Sequence, residues 1–269
     1  VVLAVMPVSA TRLSQPVITD TPALSLRRLW EAAPVACAGA LLSGLGMGGF
    51  WGLGAVYATR MGMDTAQIAG FVSLVIVAGA LAQWPMGRLS DSIDRRRALV
   101  IIAGSAAVGG LLMAALGPFG LWLLLGAAVF GAGSFSVYPA VVAHLIDHLH
   151  QEDILSGNAA LLMLHGLGAA VGPALAGALM GITAAQALPL FFALMFSLIA
   201  AYALRQLRLG GDRIVDGAAH QVPMVRTSTA VLEMMLEEAS GQDVPNSNTD
   251  DADGQEVVRA EPEQQNGDD

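Results

Sequence analysis

The sequence predicts an all-α polytopic membrane protein: a six-helix transmembrane bundle followed by a disordered acidic tail. Three observations predict it. Apolar residues make up 55% of the 269-residue chain, and mean hydropathy is +0.61. Charged residues are 13%, about half of the roughly 25% with which a soluble domain covers its surface. Residues 29–209 are a nearly continuous apolar stretch, cut only by short polar or Gly/Pro breaks. Its runs are rich in Ala, Leu and Gly and lack the alternation of a barrel strand.

A span needs about 20 apolar residues, and six fit, over 33–58, 65–87, 97–116, 119–143, 155–180 and 186–207. The first carries Gly44, Gly46, Gly48, Gly49, Gly52 and Gly54 beside Trp51 and Tyr57, and ends at the polar break Arg60–Asp64. The second ends in Gln83 and Trp84 before the charged break Arg88–Arg97. The third stops at Gly117-Pro118, because Pro cannot continue a helix. The fourth carries Ser134, Ser136 and Tyr138 and ends at the break His144–Asp153. The fifth contains Asn158 and His165, and Gly181–Gln186 separates it from the sixth.

The flanks differ from this core. Val1–Val8 is apolar but too short to cross a bilayer, and no basic segment precedes it as in a signal peptide. It reads as the end of a preceding helix, with 1–28 completing a linker, so the chain reads as the C-terminal fragment of a longer protein. Residues 210–269 hold 14 acidic residues against three Arg, a net of −11, and therefore account for the overall −9. Such a segment cannot bury enough apolar surface to fold by itself. One helical island is expected, capped by Thr227-Ser228-Thr229 and carrying Val231, Leu232, Met234, Met235 and Leu236.

Composition excludes several chemistries. Lys is absent, which removes a P-loop and any Schiff-base lysine. The single Cys37 lies in an apolar run and forms neither an intrachain disulfide nor a Cys cluster. No basic, aromatic-interleaved patch points to nucleic acid, and no motif calls for a cofactor. His144, Asp147, His148, His150, Glu152 and Asp153 lie close in sequence but lack a complete metal-ligand pattern, so a solvated loop is expected there.

The arginines set the orientation. Counting loops alternately, one side receives Arg12, Arg27, Arg28, Arg88, Arg95, Arg96, Arg97, Arg205, Arg208 and Arg213, and the other only Arg60. The first side is expected to be cytoplasmic, which places both flanks there.

The break after the second helix is the most specific signal. In Gly87-Arg88-Leu89-Ser90-Asp91-Ser92-Ile93-Asp94-Arg95-Arg96-Arg97, Gly87, Asp91, Arg95 and Arg96 resemble the cytoplasmic loop motif of the major facilitator superfamily. Ser92 stands where that motif has a basic residue, and Asp94 where it has Gly. Asp is among the few residues besides Gly that tolerate a tight left-handed turn. Gly168, Gly172, Pro173 and Gly177 on the fifth helix are similar to the family's Gly-Pro helix. The stretch from Tyr138 to Asp147, together with Ser156-Gly157, resembles the bacterial YcaD-like subgroup. The resemblance covers about residues 1–209 and implies the second half of a twelve-helix carrier in a bacterial cytoplasmic (inner) membrane. It implies a small solute moved by alternating access along a path between two halves. It also implies a partner: the missing N-terminal six-helix half or a second copy.

Site residues then follow in three groups. Gly87, Asp91, Arg95, Arg96, Arg97 and Asp147 form the expected gating motif, whose ion pairs differ between two conformations. Trp51, Tyr57, Gln83, Ser134, Tyr138, Asn158 and His165 are path candidates, because polar groups within a membrane are costly. Asn158 and His165 are seven residues apart and share a helix face. His165 either carries a proton or binds solute, or else bonds a neighbouring carbonyl. Gly168, Gly172, Pro173 and Gly177 are the expected helix-packing motif. Two other functions compete. One is a rhomboid-type intramembrane serine protease using Ser134 and His165, although Phe135 stands where that motif has Gly. The other is a half-size membrane subunit that does not transport.

Overall fold

Glycine governs how the helices meet. The computed structural model describes residues 26–116 and 120–210. A short helix α1 (Leu26–Ala32) leads into six long ones: α2 (Pro34–Arg60), α3 (Thr65–Ser92), α4 (Arg95–Leu116), α5 (Leu121–Ile146), α6 (Ile154–Ile182) and α7 (Ala187–Leu209). The six are 22 to 29 residues long and apolar enough to cross a membrane. At 1.5 Å per residue they reach roughly 33–44 Å, beyond the roughly 30 Å hydrocarbon layer.

All six expected spans are present, and the differences lie at their ends. α1 falls partly within the stretch expected to be linker. It breaks at Ala33 because Pro34 starts the next helix and restricts the residue before it. α3 runs five residues past its expected end at Gly87, so Asp91 lies on the helix and not in the break. Pro85 sits inside α3, and no breaker follows it until the extended Ile93. Asp94 then caps α4, its Oδ1 accepting from the backbone N–H of Arg96 at 2.9 Å and of Arg97 at 3.4 Å. In the position of the motif's glycine it therefore supplies a helix cap. At the other end of α3, Asp64 and Gln67 form a reciprocal capping box.

α2 lies along α6 over most of its length. A side chain at Gly44 would strike the carbonyl of His165, and one at Gly48 that of Ala169. Reciprocally, Gly168 faces the Leu41 carbonyl and Gly172 that of Leu45. Pro173 lies against Gly52, 2.8 Å from where a Cβ there would sit, and Gly177 faces Leu53. Small residues four apart on both helices allow this backbone approach, which is how helices gain contact in lipid. α5 packs on α4 and α3 by the same means: Gly109 admits the Phe130 backbone and Gly131 the Val75 carbonyl.

The core lies between α2, α4, α5 and α7. Phe130 stacks on Phe192 with centroids 4.7 Å apart, flanked by Phe50 and Phe196. α3 and α6 each bury one narrow stripe, Phe71-Val75-Gly79 on the first and Gly157, Leu161, Gly168, Gly172, Ala176 and Met180 on the second. Leu81, Trp84, Leu162, Met163, Leu167 and Leu175 stay exposed on their other faces. Apolar surface on this scale suits lipid or a further protein surface.

The stretch from His144 to Asp153 is only in part the solvated loop expected from sequence, with His150 exposed. His144 and His148 are buried, at 1% and 6% exposure, with rings 4.4 Å apart. α5 continues through Ile146, and His148 Nδ1 donates to the His144 carbonyl at 2.7 Å. Leu149 turns back against Gly157. Among the described residues no three His, Cys, Asp or Glu side chains converge. The expectations for Val1–Val8, most of the 1–28 linker, the Gly117-Pro118 break and the acidic tail with its helical island lie outside the described residues.

Candidate functional site

Two polar constellations stand out, one at the Arg-rich end of the bundle and one within the span.

At the Arg-rich end, Arg95 opens α4 and points at the last turns of α3 and α5. Its Nε donates to Asp147 Oδ2 at 2.7 Å, and its Nη1 donates to Asp91 Oδ1 at 3.2 Å and to Ser90 Oγ at 3.4 Å. One guanidinium thus ties three helix ends together, a task that its planar fork suits better than an ammonium. The two bonds differ in kind. The Arg95–Asp147 pair is the more enclosed, with side chains 25% and 37% exposed, whereas Asp91 is 74% exposed. Arg96 reaches the other way, its Nη1 donating to the Gln206 carbonyl at the end of α7. Arg97 is exposed and contributes its backbone N–H to the Asp94 cap. Arg88 lies over the Trp84 ring, 4.1 Å from its centroid. The expected gating residues therefore divide: Asp91, Arg95 and Asp147 come together, Arg96 joins α4 to α7, and Arg97 and Gly87 stay at the rim. A cavity of about 170 Å³ opens beside them, lined by Gln83, Gly87, Asp91, Arg95, Ser136 and Pro139. At the opposite end an apolar cavity of about 720 Å³ is lined by Met61, Phe71, Leu74, Leu121 and Leu124.

Within the span, His165 on α6 meets α2 and α5. Its Nδ1 is 3.2 Å from the Ala40 carbonyl oxygen and 3.3 Å from Ser43 Oγ. The Tyr138 ring lies 4.6 Å away. The tight α2–α6 crossing at Gly44 sets this height, because Gly44 seats against the His165 backbone itself. Trp51 is exposed on α2 and meets Phe135 edge-on at 6.2 Å. Asn158 is exposed two turns before His165.

The remaining path candidates sit elsewhere. Tyr57 is fully buried, packs on Phe71, and its hydroxyl donates to the Met113 carbonyl at 3.4 Å. Its place is in the packing between α2, α3 and α4. Gln83 is exposed at the mouth of the Arg-rich cavity. Ser134 is 2% exposed, and its hydroxyl has no partner among the described residues. Because the Ser134 hydroxyl bonds no described group, neither nitrogen of His165 included, Ser134 and His165 do not form the nucleophile–base pair that a serine protease requires. Ser136 bonds back to the Ala132 carbonyl of its own helix. Sequence reasoning missed Ser43. Its signal was present, as a hydroxyl one residue before the glycine series of the first span.

The family model described as Major Facilitator Superfamily matches residues 36–231. An uncharacterized MFS-type transporter of Yersinia pestis (strain Pestoides F) is 28% identical over 187 residues, covering 67% of this chain and 47% of the relative. The uncharacterized MFS-type transporter YcaD of Salmonella paratyphi B is 35% identical over 147 residues, covering 53% of this chain and 36% of the relative. The chain thus spans about half the length, or less, of the curated relatives it matches. No solved structure matches significantly. With the family model spanning five of the six helices entirely and nearly all of α2, the chain belongs to the major facilitator superfamily, a family of non-enzymatic membrane carriers.

Proposed function

We propose that the chain is the C-terminal six-helix half of a secondary active transporter that moves a small solute by alternating access. The observation that carries this reading is Arg95 shared between Asp91 and Asp147. An ion-pair network joining three helix ends is a two-state element: it holds one packing of those ends and is lost in another. His165 with Tyr138, beside the exposed faces of α3 and α6, is the proposed path wall of this half. His165 is also the proposed proton-carrying group, since the described spans hold no Asp or Glu deep within a helix. The wide apolar faces of α3 and α6 fit a partner half, either the missing N-terminal six helices or a second copy. Ten arginines against one favour a cytoplasmic Arg-rich end in a bacterial inner membrane.

The test is flux through the complete carrier in proteoliposomes, with a solute identified by ligand stabilisation. Asp91→Asn should slow flux about tenfold with insertion intact. Unchanged flux refutes the switching role, and no flux of any stabilising solute refutes transport.

A further inference from the structure

One nitrogen of His165 is committed and the other is not. Nδ1 lies 3.2 Å from the Ala40 carbonyl oxygen, which only accepts, so Nδ1 carries the hydrogen. Ser43 donates its own hydrogen to that same carbonyl at 3.1 Å, which leaves its oxygen able to accept from Nδ1 at 3.3 Å. The opposite tautomer would set two lone pairs against each other. Nε2 therefore carries the lone pair. It has no partner among the described residues and is not sealed from the surface.

The surroundings limit what this lone pair can meet. α2 contributes Ala40 and Ser43, α5 contributes Tyr138 as the titratable neighbour, and among the described residues no charged side chain bonds the ring. An ionised carboxylate only accepts, so it would set its own lone pairs against this one. An ammonium would leave water with no counter-charge from this half, a cost that contact with one aromatic face does not repay. A neutral O–H or N–H suits both the nitrogen and the ring.

Building on the transporter reading above, we propose that His165 Nε2 accepts a hydrogen bond from an uncharged amphipathic solute whose apolar or aromatic body rests on Tyr138, and that a proton competes for the same lone pair. A proton taken up at Nε2 turns the acceptor into a donor and expels the solute. No bond in the solute changes, and one site serves two exclusive occupants, which is the condition for exchange.

The test is ¹⁵N-histidine NMR of the membrane-inserted chain, with His165 assigned by its loss in His165→Gln. At pH 8 the ring should be the Nδ1–H tautomer. 2-Phenylethanol should shift Nε2 as an accepted hydrogen bond does, while phenylacetate and 2-phenylethylammonium, with the same body, should not. The apparent affinity for the alcohol, which does not titrate, should fall about tenfold per pH unit below the ring's own titration. Tyr138→Leu should weaken the alcohol response at least about threefold and leave the tautomer unchanged. An Nε2–H tautomer, an equal response to either charged probe, or an alcohol affinity independent of pH overturns the proposal. These outcomes leave transport itself standing. A complete carrier that moves no solute refutes the transporter reading and leaves the tautomer untouched.

Discussion

Asp147→Asn should cost far more stability than Asp91→Asn, although both remove a carboxylate from the same guanidinium. Asp147 takes a 2.7 Å charge-assisted bond from Arg95 between side chains 37% and 25% exposed. Such bonds contribute about 1.5–3 kcal/mol when enclosed, and solvent screening at this exposure lowers that to about 1–2 kcal/mol. Asp91 is 74% exposed, sits four residues before Arg95, and bonds at 3.2 Å, so about 0.3–0.5 kcal/mol is expected. The folding equilibrium should therefore shift about 5- to 30-fold for Asp147→Asn and about twofold for Asp91→Asn. The assay is reversible unfolding in mixed micelles, as a double-mutant cycle with Arg95→Gln to isolate each coupling. Equal couplings, or the larger one at Asp91, would refute the assignment of Asp147 as the main partner. With Asp91 coupled as weakly as expected, the flux effect proposed for it lies in the other conformation, where it is free to find a stronger partner.

Other expectations are smaller in scope. Gly48→Leu places a side chain on the Ala169 carbonyl; it should destabilise the α2–α6 pair by about 1–3 kcal/mol, read as an earlier unfolding midpoint, and an unchanged midpoint would contradict the close approach. Ser134→Ala removes a buried hydroxyl without a partner, so stability should hold or rise by about 1 kcal/mol with flux unchanged, whereas loss of a proteolytic activity would revive the protease reading. Deleting residues 215–269 should leave insertion and the unfolding midpoint unaltered, and failure to insert would assign the tail a packing role.

The fold was legible because the solvent is lipid. Each span needs its own apolar run, and polar breaks show where runs end, so all six helices could be counted from residues alone. The same apolar character hid which face of each helix is buried. Leu161 and Leu162 read alike in sequence, yet only the first is buried; the glycine positions carry that information. Tyr57 and Tyr138 looked equivalent as intramembrane hydroxyls, and only packing separates a core residue from one beside His165. The charged turn was readable as a motif, but not the choice of Asp147 over Asp91 as the closer partner, since 52 residues separate Arg95 from Asp147. His144 and His148 looked solvated because they fall among charges, yet both are buried, with their rings against each other.

Membrane sidedness is the most direct test of the account. Cys37 is the single cysteine, so a Cys37→Ser background accepts one new thiol at a time. Thr65→Cys at the start of α3 should react with a membrane-impermeant maleimide in intact cells, and Ser92→Cys at its end only after the membrane is opened. The reverse pattern, or equal labelling of both in intact cells, would contradict a lipid-spanning half-carrier with its arginine latch facing the cytoplasm.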